Sequence, residues 1–148
     1  MKSVDVKKVG SYYNLYTSSS NSSGVSWIGV SQSSSITGPF EFVGSIITSG
    51  LYARARVIDS DVYLTYGEGN LKIVKLASDG LSVEEEGTVF LGGISNLKSG
   101  CIAEYKDNFY FFVNTPSDIH VYRVSDVASL MDGSEELTHP TNPILLDT

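Results

Sequence analysis

Two arginines and a few carboxylates are the side chains with most capacity for chemistry in this chain. Arg54 and Arg56 alternate along Tyr52-Ala53-Arg54-Ala55-Arg56-Val57, a stretch otherwise built from small and apolar residues. In an extended strand Tyr52, Arg54 and Arg56 share one face, and Ala53, Ala55 and Val57 share the other. A guanidinium presents a planar fork of N–H donors, so the pair suits an acidic sugar or another anion. The competing reading is an ion pair with Glu104 or Asp5 on a neighbouring strand. His120 and His139 have no acid and nucleophile at useful spacing, and no Gly-x-Ser-x-Gly elbow is present. Cys101, the single cysteine, lies in an apolar stretch and reads as a small buried residue. A zinc site would have to draw on Cys101, His120 and His139 without close ligand spacing, so neither metal nor cofactor is expected.

Aromatic rings add a second kind of chemistry. Trp27, Tyr12, Tyr16, Tyr52, Tyr66 and Tyr105 match the C–H faces of sugar rings, and they equally suit the packing of sheets. Tyr52 and Tyr105 are the candidates for ligand contact, because both are expected on the same strands as the arginines and Glu104.

The rest of the sequence says what holds these residues. The chain has 148 residues, with 17 acidic against 10 basic side chains and a formal charge of −7. That length suits one domain. Apolar residues make up 41%, enough for a packed core, while charged residues at 18% fall below the usual share. Scattered Lys and Arg in an acidic chain argue against nucleic acid as a partner. The longest apolar run is four or five residues, too short to span a bilayer. The first eight residues lack the apolar core of a secretory signal. Cys101 alone allows no intrachain disulfide and points to no particular compartment.

Three aromatic runs set the organisation: Tyr12 to Thr17 (YYNLYT), Val62 to Tyr66 (VYLTY) and Phe109 to Val113 (FYFFV). With Tyr13, Tyr63 and Tyr110 in one column, the ten residues ending there align without gaps as VDVKKVGSYY, RARVIDSDVY and CIAEYKDNFY. Each reads as strand, tight turn, strand, with turns at Val9-Gly10-Ser11, Asp59-Ser60-Asp61 and Lys106-Asp107-Asn108. Third strands are expected over Ser26 to Gln32, Leu71 to Leu76 and Ile119 to Val124. Fourth strands are expected near Phe40 to Ile47, Val83 to Leu91 and Leu137 to Leu146. The Ser18 to Gly24 run reads as a flexible hairpin tip, and Glu84-Glu85-Glu86 as a solvated edge strand. No helical period is evident; Val127 to Met131 makes one turn at most. The expectation is an all-β, propeller-like domain over 1–148, with four-stranded blades at about 1–50, 51–98 and 99–148.

These modules resemble blades of the five-bladed propeller glycoside hydrolases of family 43, the arabinofuranosidases and xylosidases. The resemblance rests on SYYNLYTSSS and IGVSQSSSITGPF in the first module and VIDSDVYLTYGEGNLKIVKLASDG in the second. SGCIAEYKDNFYFFVNT and SDVASLMDG carry it in the third. It implies blades one to three, and a site of paired carboxylates facing the central channel. The family's general acid, the Glu of a Glu-Gly-Pro run, falls here on Ser99 of Ser99-Gly100-Cys101. Its supporting Asp falls around Leu51 to Ala53, where no acid stands, and Asp5 is the residue nearest the base. A serine hydroxyl is no proton donor near neutral pH. No catalytic residue is therefore assigned. Arg54, Arg56, Tyr52, Tyr105 and Glu104 become candidate ligand-binding residues of a module that recognises a carbohydrate or another surface. The alternatives are a family 43-like enzyme with a displaced carboxylate pair, and a structural part of a larger particle such as a phage appendage. Because three blades do not close a ring, the chain is expected either to be part of a larger propeller or to assemble, with assembly favoured as a homodimer completing six blades or with a partner chain.

Overall fold

The computed structural model describes residues 3–67, 71–88, 97–106, 108–124 and 126–132. The first sheet is a meander of β1 (Ser3–Val9), β2 (Tyr12–Ser20), β3 (Ser26–Ser33) and β4 (Glu41–Ile47). The second runs through β5 (Arg54–Ile58), β6 (Asp61–Tyr66), β7 (Lys72–Leu76) and β8 (Val83–Thr88). The third comprises β9 (Ser99–Tyr105), β10 (Asn108–Asn114) and β11 (Ile119–Val124). All pairings are antiparallel, and the inner strands β1, β5 and β9 lie side by side across the sheets. The fourth strand expected near 137–146 lies outside the described residues.

The first hairpins of the first and second sheets close on two-residue turns. Asp59 and Ser60 both take positive φ, 49° and 74°, the conformation that matches the twist of paired strands. In the first sheet Val9 faces Tyr12, so the turn is Gly10-Ser11, one residue later than the gap-free alignment places it. The side-chain faces nevertheless stay in phase with the Tyr13, Tyr63, Tyr110 column: Asn14 and Tyr16, Leu64 and Tyr66, and Phe111 and Val113 are all buried. Burial rather than turn position holds the alternation.

Each sheet-to-sheet space has its own core. Val9, Tyr16, Ile28 and Val30 pack against Ala55, Val62, Leu64, Tyr66, Val74 and Leu76 between the first two sheets. Ile58, Leu71 and Ile73 meet Ile102, Phe111, Val113 and Tyr122 between the second and third.

Two expectations about local structure change. Val127–Asp132 forms a helix, α1, of six residues. Asp126 caps it by accepting the Ser129 amide at 2.6 Å, and Val127, Leu130 and Met131 are buried in the second core. Buried positions at i, i+3 and i+4 are the helical signal, too short to stand out in the sequence. The serine run is only partly a tip: Ser18–Ser20 belong to β2 and Ser18 is fully buried. The tip begins at Asn21, whose Oδ1 accepts the amides of Ser23 and Val25, each at 3.0 Å. Glu84, Glu85 and Glu86 are exposed on the edge strand β8, as expected.

Candidate functional site

A row of polar side chains on the first sheet determines how the inner strands meet. β5 pairs on one side with β6, which leaves its other edge of N–H groups needing partners. Asp5 Oδ2 accepts the Ala55 amide at 2.8 Å, and Ser18 Oγ accepts the Ala53 amide at 3.0 Å. Farther out, Asn14 Nδ2 donates to the Asp79 carbonyl at 2.7 Å and Tyr16 Oη to the Gly80 carbonyl at 3.0 Å. Burial pushes the Tyr16 phenol up to about 12, against a smaller opposing effect of the hydrogen bond from Asn14. Asp5 is also ion-paired with Lys7 Nζ at 2.6 Å. Its carboxylate is thus committed to an amide and an ammonium.

The next seam works differently. Thr65 Oγ1 donates to the Gly100 carbonyl at 2.5 Å. Gly100 is itself required there, since a Cβ would stand 2.6 Å from Leu71 Cδ2 and 2.9 Å from Phe111 Cζ. Arg56 reaches Glu104 at 3.7 Å, so these two site candidates neutralise each other at a half-exposed position. This is the ion-pair alternative for Arg56.

Beyond that pair lies a cavity of about 470 Å³ at the start of β5 and β9. Its walls are Arg54, Ser99, Cys101, Phe112 and Asn114, closed by the turn from Thr115 to Ile119. Arg54 Nη1 donates to the Ala53 carbonyl at 2.8 Å and forms no ion pair among the described residues. Ser99, the residue standing where the resemblance puts a general acid, donates to Asn114 Oδ1 at 2.5 Å. The walls therefore combine an unpaired guanidinium, the Asp118 carboxylate, hydroxyl and amide groups, and the apolar faces of Phe112 and Ile119, the mixed lining of a small-ligand site.

No protein-family model matches the chain, and no curated protein matches it in sequence. Solved structures do match. A native arabinanase of Bacillus subtilis superposes with a TM-score of 0.76 at 18% identity, over 97% of this chain and 58% of that one. An α-L-arabinanase of Cellvibrio cellulosa gives 0.74 at 19% identity, over 98% and 59%. A GH43_1 enzyme of Xanthomonas citri, complexed with xylotriose, gives 0.70 at 14%, over 83% and 51%. The chain has the fold of the family 43 propellers. Identity below a quarter shows that fold and nothing finer, and the chain spans between half and three-fifths of these proteins' length.

Within this propeller arc the five candidate residues separate. Arg54 alone lines the cavity. Arg56 and Glu104 form the ion pair beside it. Tyr52 precedes β5 instead of sitting on it; a positive φ of 56° breaks the alternation that would have aligned it with Arg54. Tyr105 is the last residue of β9, 62% exposed, with Lys106 Nζ 5.1 Å from its ring centre. Cys101 is exposed rather than buried, because its face of β9 turns away from the core formed by Ile102 and Phe111. Packing around the sulfur still pushes the thiol up, with Arg54 opposing. Ser99, Phe112, Asn114 and the β10–β11 turn also line the cavity, and the sequence does not mark them as ligand contacts. Only Asn114, a polar residue ending an aromatic strand, carried a signal that could have marked them. Among the described residues no cluster of His, Cys, Asp or Glu could hold a metal ion.

Proposed function

We propose that this propeller arc recognises a carbohydrate without cleaving it, and that the Arg54 cavity receives a sugar carrying a carboxylate. The observation that carries the reading is the unpaired Arg54 guanidinium in the wall of a 470 Å³ cavity. A half-buried guanidinium without a counter-ion favours an anionic ligand, which it can bind through two parallel N–H donors. Phe112 and Ile119 supply apolar surface, and Asn114 and Asp118 supply groups for hydroxyls.

Hydrolysis needs one carboxyl to give a proton and another to activate water or attack. The acids on the described inner strands are Asp5 and Glu104, and both are ion-paired. Ser99 cannot supply the proton. The rival reading, an enzyme acting on a surface or plant-type polysaccharide, is supported by the fold of the arabinanases and xylosidases. Calorimetric titration with oligogalacturonate separates the two when run beside nitrophenyl arabinofuranoside and xyloside assays. Recognition gives binding that Arg54→Ala removes and no nitrophenol. Nitrophenol release abolished by Asp5→Asn or Glu104→Gln would establish the enzyme instead.

A further inference from the structure

A second concavity lies at the other end of the first sheet. In a meander, successive connections alternate between the two ends of the strands. The Arg54 cavity is built at the starts of β5 and β9 and at the β10–β11 turn. The β1–β2 turn and the β3–β4 connection belong to the opposite end. There a groove of about 340 Å³ is lined by Tyr12, Gln32, Ser34, Pro39, Glu41 and Val43, with Ser33 and Gly38.

Pairing aligns its polar wall. Asn14 faces Gln32, and Gln32 faces Glu41, making a row of three across β2, β3 and β4. Tyr12, two residues before Asn14, falls on the same face and is 48% exposed. The row is held from within: Gln32 Nε2 donates to Asn14 Oδ1 at 3.0 Å, and Asn14 is itself anchored on the Asp79 carbonyl. Gln32 is therefore presented in one orientation at little further entropic cost. Glu41 forms no ion pair among the described residues and is the one charged residue in the lining.

We infer that this groove is a second carbohydrate site, specific for a neutral sugar. An exposed tyrosine offers a ring face to the C–H groups of a sugar. The planar end groups of Glu41 and Gln32, with the Ser34 hydroxyl, pair with its hydroxyls. A carboxylate that lacks a counter-ion accepts hydroxyl hydrogen bonds strongly and repels an acidic sugar. The Arg54 cavity sets a guanidinium beside its own carboxylate, Asp118, whereas this groove has no cation in its lining, and the two sites do not depend on each other. If both engage one polysaccharide, the second contact becomes intramolecular and the overall hold tightens without new contacts.

The test is a two-dimensional amide spectrum of the isotopically labelled chain, titrated separately with arabinohexaose and with oligogalacturonate. Arabinohexaose should move the amides of Tyr12, Gln32, Ser33, Ser34 and Glu41, and should do so equally in Arg54→Ala. Tyr12→Ala and Glu41→Gln should each weaken that binding roughly tenfold while the remaining spectrum keeps its dispersion. Oligogalacturonate should leave these amides in place. The inference is overturned if arabinohexaose leaves them unmoved, if the response follows Arg54 instead of Tyr12, or if oligogalacturonate occupies the groove. Failure of the Arg54 reading shows separately, as the absence of shifts around Ser99, Asn114 and Asp118.

Discussion

Asp5 and Ala55 stand 50 positions apart in sequence, yet the Asp5 carboxylate accepts the Ala55 amide at 2.8 Å across the seam between the first two sheets. An acid that proximity alone would nominate for chemistry is thereby part of the framework. A buried amide left without an acceptor costs about 1–3 kcal/mol. Asp5→Ala should therefore lower the urea midpoint by an amount in that range, with the slope of the transition unchanged. Asp5→Asn keeps an acceptor and should recover part of the loss. Equal loss in both variants would mean that charge against Lys7 matters, not the amide.

The same seam sets an alkaline limit. The Tyr16 phenol is raised from 10.0 to about 12 by burial, so the folded state holds its proton more tightly than the unfolded chain does. Its contribution to stability is complete below pH 10 and is lost as the pH rises through about 12. Denaturation midpoints across that window should fall for the natural chain and fall less steeply for Tyr16→Phe, which should also start lower by about 1 kcal/mol for the lost hydrogen bond. Parallel curves would show that Tyr16 does not govern the alkaline limb.

Gly80 receives the Tyr16 hydroxyl and has a φ of 71°. A Cβ there would stand 2.5 Å from Tyr16 Oη and 2.7 Å from Asn14 Nδ2. Gly80→Ala should therefore destabilise by about 2 kcal/mol or more, since backbone strain and a clash act together. The comparison is Gly10→Ala in the first hairpin, at a φ of 57° with no atom within 4 Å of the added carbon, which carries the strain alone and should cost less.

Arg54 and Arg56 look equivalent in the sequence and should behave oppositely. Arg56 pairs with Glu104 at 3.7 Å where both are substantially exposed, so Arg56→Met should change stability by no more than about 0.5 kcal/mol and leave oligogalacturonate binding intact. Arg54→Met should keep stability within a similar margin and lose binding roughly tenfold or more. Loss of binding in both variants would assign recognition to the pair.

Cys101 provides a check on the face of β9 that turns away from the second core. Its exposure predicts one reactive thiol per native chain toward a disulfide reagent. Because packing raises the thiol, the rate at neutral pH should lie below that of a free cysteine and climb as the solution is made alkaline. Reaction only after denaturation would contradict the exposure.

The strands were legible because aromatic and β-branched residues are concentrated in β2, β6 and β10, and the hairpins because Gly10, Asp59 and Ser60 accept positive φ. Ser18 was not legible: a serine inside a serine run carries no local mark, and its role comes from an amide 35 residues away. Tyr52 was not legible either: strict alternation aligns it with Arg54, but it lies two residues before β5 at a positive φ that no side chain announces. The cavity was half legible. Arg54 is conspicuous against its alanines, whereas Phe112 and Asn114 reach the same space through the pairing of β9 with β10. No helix among the described residues is long and apolar enough to cross a membrane.

A single titration reads both halves of recognition at Arg54 without hydrolysis. Unlabelled oligogalacturonate and neutral arabino-oligosaccharide are incubated with the isotopically labelled chain while protein amides and sugar anomeric signals are recorded together. Recognition without cleavage gives shifts at Ser99, Asn114 and Asp118 on adding oligogalacturonate, absent in Arg54→Ala, with no new reducing-end signals from either sugar over a day. New reducing ends that depend on Asp5 or Glu104, or binding that ignores Arg54, would contradict it.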